Sequence, residues 1–597
     1  MALDGIVCAG LRSELAARLT NARISRIVQY RESLFIEWRV LGADLWLVLS
    51  GDHRHARAHL GSRPPESGGT PPPFCMLLRK HLQPGRLLAV EQPGLERVLR
   101  FRIEGCDSLS RRVERTLICE LTGRHTNLVL VDEAGSVLDA LRRAGPDAAR
   151  PLFPGAPYTP PPAQEKRALF DVDPPFLDRL IRHAPPDARL DSLLGSALFG
   201  IGPTGARALW RAAGIDPAAR AEEIDSRAAA AALLRPLARL RECIEGGRFS
   251  PTAWFSTESG LPVDFWALPW SPAPPEAPLV ARSYPSFSEM LADCFDAWMA
   301  AERAQRLRSE LARTVEGALK RLRKKRALQA EAVSEGARAE THQRWGELLL
   351  SQQHRVPPGA AEALLSDYFE PGAPAVRIPL DPRLSAVENA ERHFARYQKA
   401  RRTARAAKAE LERTVAEIEY LEGVAEAIRQ TEGAPAEAWS SLCEIERELA
   451  SQGYGQKSDG APGRAGGPPP APAGPRRFRS PDGFLILVGR NNRQNDEITL
   501  RWARPDDIWL HCKEIPGSHV VIRTEGASPP ERTLLAGAQL AAYYSRARQS
   551  SHVPVDWTLC RYVRKPRGAK PGKVIYDHHH TIYVTPTADA LAAESSP

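Results

Sequence analysis

The sequence predicts a multidomain α+β chain, and three observations carry that expectation. Its 597 residues exceed what one hydrophobic core can organise, which sets about three to five folding units. Short strand-like runs bounded by turn residues crowd both ends of the chain. Between them lie two stretches with helical seams much longer than an ordinary globular helix. The 43% hydrophobic content suffices for several cores, while 52 Pro and 43 Gly require many loops or a disordered linker.

Taken in order, Gly5 to Leu19 reads as a helix because Leu11, Leu15 and Leu19 repeat every fourth residue. Strands are expected at Ile24 to Val28, Ser33 to Trp38 and Leu45 to Leu49. A short amphipathic helix, Phe74 to Leu82, stops before Pro84-Gly85. Further strands follow at Leu87 to Glu91, Val98 to Ile103 and Arg115 to Glu120. Asn127 to Val131 and Ser136 to Ala140 flank Asp132-Glu133-Ala134-Gly135, a hairpin signal. The Pro-rich stretch Pro151 to Pro162 closes a first domain at residues 1–165.

Residues 166–285 read as helical. They contain Gly200-Ile201-Gly202-Pro203 leading into Ala206 to Ala213, either a phosphate-holding turn or an ordinary helix–helix connection. A coiled-coil hairpin is expected at 286–454. Leu311, Val315, Ala318 and Leu322 form the seam of an arm from near Phe287 past Ala330. Leu411, Val415, Ile418, Ala425 and Ile428 form that of a second arm, Val387 to Gln430, with a small insert between. The basic run Lys320 to Arg326 on the first arm is either a solvated face or a phosphate contact. Residues 455–476 are Gly/Pro/Ala-rich and expected to be a flexible linker. A small α+β unit at 477–586 has strands at Phe484 to Val488, Val520 to Ile522, Val555 to Leu559, Val574 to Tyr576 and Thr581 to Val584. Its helix is Leu534 to Tyr544, and 587–597 are expected to be a disordered tail.

The net charge is +9, and residues 476–586 hold nearly all of it, with 18 Lys and Arg against 10 Asp and Glu. A basic terminal domain on a balanced chain points to a polyanionic partner. Nine scattered cysteines, with no C-x-x-C pair, argue against zinc ribbons and a disulfide framework. No signal-peptide pattern and no long apolar run is present, so a cytoplasmic protein is expected.

Three stretches go beyond general patterning. They are Asp507-Ile508-Trp509-Leu510-His511-Cys512-Lys513-Glu514-Ile515-Pro516-Gly517-Ser518-His519-Val520, then Arg564-Lys565-Pro566-Arg567-Gly568-Ala569-Lys570-Pro571-Gly572, and Glu120-Leu121-Thr122-Gly123-Arg124-His125-Thr126-Asn127. Phe74 to Leu82 and Asn389 to Phe394 support them. These runs resemble the signatures of the NFACT family of ribosome quality-control factors, in the family's order over essentially the whole chain. The resemblance implies a glycosylase-like NFACT-N domain, a helix-hairpin-helix region, a long antiparallel coiled-coil hairpin and a small α+β NFACT-R domain. It also implies a non-catalytic factor, without cofactor or metal. Its expected partners are a large ribosomal subunit blocked by peptidyl-tRNA and alanine-charged tRNA for tailing the nascent chain. The family's Asp-Arg pair falls on Glu96-Arg97, longer by one methylene.

Residue chemistry adds the expected contacts. Arg97, Arg124 and His125 are placed against tRNA, with Glu96 and Glu120 orienting the arginines or accepting from a base edge. The segment Arg561 to Lys573 has six positive charges and no acid, so Arg564, Lys565, Arg567, Lys570 and Lys573 are expected on an RNA backbone. Asp507, Trp509, His511, Lys513, Ser518 and His519 complete the RNA-facing set, although Trp509 suits a core equally well. His578 to His580 is expected to be a hairpin turn rather than a metal site. Two rivals remain beside this reading: a ribosome- or tRNA-binding scaffold without tailing, and a DNA-glycosylase-like protein. The second lacks the family's N-terminal proline nucleophile, since Ala2 follows Met1. A surface adhesin finds no export signal.

Overall fold

The computed structural model describes residues 3–65, 69–106, 111–162, 165–274, 277–431, 433, 435–455, 474–587 and 592–593. The chain divides into two compact units that meet between Glu302 and Arg303 in sequence.

In the first unit, α1 (Gly5–Leu19) is capped by Asp4, whose carboxylate accepts from the Ile6 and Val7 amides. Leu11, Leu15 and Leu19 are all fully buried, each contributing about 1.5–3 kcal/mol of transfer free energy. There follow β1 (Arg23–Tyr30), β2 (Ser33–Val40), β3 (Ala43–Ser50), β4 (Arg57–Gly61), α2 (Pro73–Leu82), β5 (Arg86–Glu91), β6 (Val98–Cys106), β7 (Arg112–Glu120), β8 (Asn127–Val131) and β9 (Val137–Ala140). They make one nine-stranded sheet in the order β4-β3-β2-β1-β5-β6-β7-β8-β9. The expected hairpin joins β8 and β9, its turn closed by Asp132 accepting from the Ala134 and Ser136 amides, with Gly135 at φ +78°.

Four helices come next: α3 (Pro174–Arg182), α4 (Leu190–Ala197), α5 (Pro203–Ala212) and α6 (Ser226–Glu245). The wholly helical expectation for 166–285 then fails. β10 (Thr252–Ser256), β11 (Pro262–Trp266) and β12 (Leu279–Ser283) form a separate antiparallel sheet with β10 at its centre. One core runs from Leu3 through Trp210 and Trp266 to Phe295, so the nine-stranded sheet and the helical segment share their hydrophobic interior.

The long helix α7 (Phe287–Arg338) leads into the second unit. There it pairs with α9 (Ala386–Arg429), and the insert supplies α8 (Glu340–Ser351), β13 (Glu362–Ser366) and β14 (Ala375–Pro379). The pairing is antiparallel. Arg323 meets Glu422 at 2.7 Å, and Gly336 lies so close to Ala404 that a Cβ would fall 2.1 Å from its methyl. At 1.5 Å per residue α9 is roughly 65 Å long. A third helix, α10 (Pro435–Ser451), buries Ala438, Leu442, Ile445 and Leu449 with Leu311, Val315 and Ile418 from the two arms.

The C-terminal domain comprises β15 (Arg476–Arg479), β16 (Leu485–Val488), α11 (Asn492–Glu497), β17 (Ile508–Cys512), β18 (Val520–Ile522), α12 (Glu531–Tyr543), β19 (Val553–Leu559), β20 (Val563–Arg564), β21 (Ile575–Tyr576), β22 (His580–Val584) and β23 (Ala592–Ala593). Its seven-stranded sheet runs β22-β19-β17-β18-β16-β15-β23, and α12 packs on β17, β18 and β19. The tail expected to be disordered thus contributes an edge pair, Ala592 and Ala593 beside Arg479 and Phe478. Residues 456–473 of the expected linker lie outside the described residues.

Candidate nucleic-acid interface

Two turns at one end of the β6–β7 pair bring the N-terminal candidates together. Glu96 and Arg97 sit just before β6, and the Leu121 amide donates to the Arg97 carbonyl at 2.8 Å. Gln92 anchors the first turn, its Nε2 donating to the carbonyls of Gly5 and Glu96 at 2.9 and 2.7 Å. Gly5 is obligatory, because a Cβ there would meet the Leu95 carbonyl oxygen at 1.9 Å. The second turn, Gly123–His125, is a single 3-10 turn held by Thr126 Oγ1 donating to Gly123 O at 2.7 Å, and it exposes Arg124 and His125. Among the described residues the side chains of Glu96, Arg97 and Arg124 make no ion pair. Partial burial raises the Glu96 carboxyl above the usual carboxylate range, opposed by the Arg97 charge.

Sequence reasoning missed Lys166. Its ammonium donates to Gly195 O at 2.9 Å, and burial, then the Arg97 charge, lowers its pKa. The two like charges therefore lie within each other's field, a repulsion that a phosphate would relieve. The signal was present only as a lysine between Glu165 and Arg167 after the Pro-rich stretch, and the fold brings it within the field of Arg97.

One N-terminal expectation is corrected, and of the two readings of the Gly200–Pro203 turn the ordinary connection holds. Glu120 is fully buried and holds Arg150 with both oxygens, one at 2.9 Å, while accepting from Tyr158 Oη at 2.8 Å. It orients neither Arg97 nor Arg124, and no base edge reaches it. The Gly200–Pro203 turn is likewise occupied from within. Asp4 accepts from the Gly202 amide at 3.2 Å and from Trp266 Nε1 at 2.9 Å, so the N-terminus of α5 already faces a carboxylate.

In the C-terminal domain the long signature turns out to be framework. Asp507 is fully buried, accepts from the Thr524 and Arg504 amides at 2.8 and 2.7 Å, and pairs with Arg523 at 2.9 Å. Trp509 is fully buried among Leu487, Ile498 and Val521, which removes it as a stacking surface. His511 stacks on it with ring centroids 5.8 Å apart, and burial lowers the His511 pKa to about 4. His519 is buried, its Nδ1 2.9 Å from Thr499 Oγ1, and burial holds it well below the usual histidine range. Ser518 is also buried, donating to Gly489 O at 2.6 Å. Gly517 touches Ser545, where a Cβ would come within 2.7 Å. Of this run only Lys513 and Glu514 are exposed.

The basic loop is exposed but not free. Arg561 pairs with Asp506, Arg564 with Asp577 at 3.4 Å, Lys565 with Asp496, Lys570 with Glu417 at 3.5 Å, and Lys573 with Glu419 at 2.7 Å. Lys570 and Lys573 tie the loop to α9, and the Gly572 amide donates to Asp496 at 3.2 Å. Burial raises the Asp496 carboxyl, against the pull of Lys565. Arg567 has no acidic partner among the described residues. His578 lies in a left-handed turn at φ +51° leading into β22. Along α7 the run Lys320–Arg326 is exposed except for Leu322, with Arg323 and Lys325 paired to Glu422 and Glu410.

Residues 4–465 match the family described as NFACT N-terminal and middle domains, and residues 475–577 match NFACT protein RNA binding domain. The Rqc2 homolog RqcH of Bacillus subtilis (strain 168) is 33% identical over 598 residues, 99% of this chain and 99% of its own. The ribosome quality control complex subunit NEMF of Homo sapiens is 27% identical over 119 residues, 20% of this chain and 10% of its own. Among solved structures, the C-terminal part of the fibronectin/fibrinogen-binding protein from Streptococcus suis is 32% identical, covering 48% of this chain and 97% of its own at a TM-score of 0.37.

Proposed function

The chain belongs to the NFACT family, and on that footing we propose that it acts in ribosome quality control. It binds a large ribosomal subunit carrying a stalled peptidyl-tRNA and recruits alanine-charged tRNA for C-terminal tailing of the nascent chain. It works in the cytoplasm as an elongation-type factor, with peptidyl transfer performed by ribosomal RNA. No helix among the described residues is long and apolar enough to cross a membrane.

The observation that carries the tRNA reading is the cluster at the end of the N-terminal sheet. Arg97 and Arg124 make no ion pair among the described residues, His125 is exposed beside Arg124, and Lys166 is partly desolvated within the field of Arg97. Such a group binds a phosphate backbone through charge-assisted hydrogen bonds that each arginine can make in bidentate form. Glu96 sits within the field of Arg97 without forming an ion pair with it. In the C-terminal domain the contribution narrows to Lys513, Arg564, Arg567 and the surface-facing loop, while Asp507, Trp509, Ser518 and His519 shape the platform beneath.

The test is charge reversal. Arg97→Glu with Arg124→Glu, introduced into the full chain, should abolish tRNA retention on purified ribosomal complexes while the protein stays folded. Unchanged tRNA content in those complexes would defeat the assignment.

A further inference from the structure

Burial of Trp509 leaves the C-terminal domain without the aromatic platform that its signature suggested, yet the same domain presents other aromatic rings to solvent, Trp502 and Tyr562 among them. α11 does not end as an ordinary helix. It continues into a π turn, Ile498–Trp502, with the Ala503 amide donating to Ile498 O at 3.0 Å. One extra residue in the turn rotates the following side chains outward, and such turns recur at functional positions. Ile498 and Thr499 point inward and are buried, whereas Leu500 is 40% and Trp502 41% exposed, with Arg501 exposed between them.

The chain then runs through Arg504 and Pro505, and the turn bearing Tyr562 is fastened to this stretch. The Arg561 amide donates to Pro505 O at 3.1 Å, and the Arg561 guanidinium pairs with Asp506. Tyr562 is 37% exposed and rests on His578, ring centroids 4.6 Å apart, which fixes its orientation. Arg501, Arg504 and Arg567, all exposed, have no acidic partner among the described residues. Elsewhere in the basic loop each cation is matched by a carboxylate.

We infer that Trp502 and Tyr562 are the base-stacking residues of this domain, taking unpaired nucleotides of an RNA whose phosphates lie on Arg501, Arg504 and Arg567. The inference rests on the RNA-binding reading of the domain and adds the class of RNA it recognises. Rings on a surface that also carries guanidinium groups without acidic partners suit a base with its phosphate, since every base offers a π face and stacking tolerates any sequence. A protein docking face would instead place its aromatic anchors in a continuous apolar patch with charge excluded from the centre. A paired helix offers its bases only at the ends, so the rings give duplex RNA no advantage.

The experiment uses the full chain at physiological salt. Fluorescence anisotropy measures binding to a labelled single-stranded oligoribonucleotide and to a blunt duplex of the same sequence. Trp502→Ala should weaken single-strand binding roughly tenfold, in line with one lost stacking contact, and leave duplex binding within about twofold. Trp502→Phe should recover most of the loss, and Tyr562→Ala should repeat the pattern. Equal affinity of wild type and Trp502→Ala for the single strand overturns the inference, as does an equal loss on both RNAs. If single-strand affinity is unchanged but a protein partner is lost from Trp502→Ala, the face belongs to that protein and the inference falls. Wild-type protein that binds neither RNA refutes the RNA-binding reading itself, an outcome distinct from the others.

Discussion

Glu120→Gln separates a framework residue from an RNA contact. In the folded protein both Glu120 oxygens hold Arg150, Tyr158 donates to one of them at 2.8 Å, and the Arg150 ring contact with Tyr158 spans 5.4 Å. The Glu120 side chain is 0% exposed and that of Arg150 is 19% exposed. Glutamine keeps the volume but removes the charge, and it turns an amide donor toward a guanidinium donor. Removing one partner of a buried ion pair costs about 3–5 kcal/mol, and the residual exposure of Arg150 places this case near the lower end, about 3 kcal/mol. Since 1.4 kcal/mol is a factor of ten, amides of β7 and β8 should exchange with deuterium roughly a hundredfold faster. Adding Arg150→Met, which removes the stranded charge, should restore most of the protection. Wild-type exchange rates in Glu120→Gln together with weakened tRNA binding would refute this reasoning and return Glu120 to the RNA.

Two further outcomes follow from the same geometry. His511 is held near 4 and His519 well below its usual range, while the unfolded chain takes up these protons near 6.5. Folding therefore excludes protons, so the stability these groups contribute is complete above about 6.5 and drains away as pH falls toward 4. The melting temperature of the C-terminal domain, resolved in the full chain by exchange of its β17 amides, should fall across that window. His511→Gln should flatten the slope, and a profile identical to wild type would contradict the assignment. Gly5→Ala drives a methyl against the Leu95 carbonyl oxygen, where only 1.9 Å is available. Overpacking of this kind costs about 1–3 kcal/mol, and relief requires the turn carrying Glu96 and Arg97 to shift. Binding of tRNA by the N-terminal unit should weaken several-fold while exchange in α12 stays unchanged; normal tRNA binding would show that the turn is not held by this contact.

Regular elements were legible wherever one physical signal dominated. The leucines of α1, the seams of α7 and α9, and the Asp132–Gly135 hairpin all declared themselves through period or turn chemistry. β4 did not, because Arg57 and His59 interrupt its apolar pattern; both are buried, with Arg57 Nε donating to His59 Nε2 at 3.2 Å. α11 was hidden in a run of Asn, Arg and Gln that resembles a loop. Asn491 caps it by accepting from the Gln494 amide at 2.8 Å, and Gln494 donates to Glu444 at 2.8 Å. Tertiary hydrogen bonds, which local propensity cannot report, make that helix.

The site was less legible than the fold. Alternation in Ile508–Cys512 fits a strand, but a strand's two faces are equivalent in sequence, and only the packing of Ile498 and Val521 turns Trp509 inward. Charge in Arg561–Lys573 was plain, whereas its neutralisation by Glu417, Glu419, Asp496, Asp506 and Asp577 depends on residues up to 154 positions distant. Arg97 and Arg124 were placed by resemblance, and the structure adds that they share one end of a sheet.

The most direct test is the identity of the RNA that travels with the protein. Tagged full-length chain, recovered from cells at physiological salt, should bring down large-subunit ribosomal RNA and one strongly enriched tRNA species, and sequencing that RNA reads both at once. Recovery of the folded protein without tRNA and without large-subunit RNA would contradict the account at its centre.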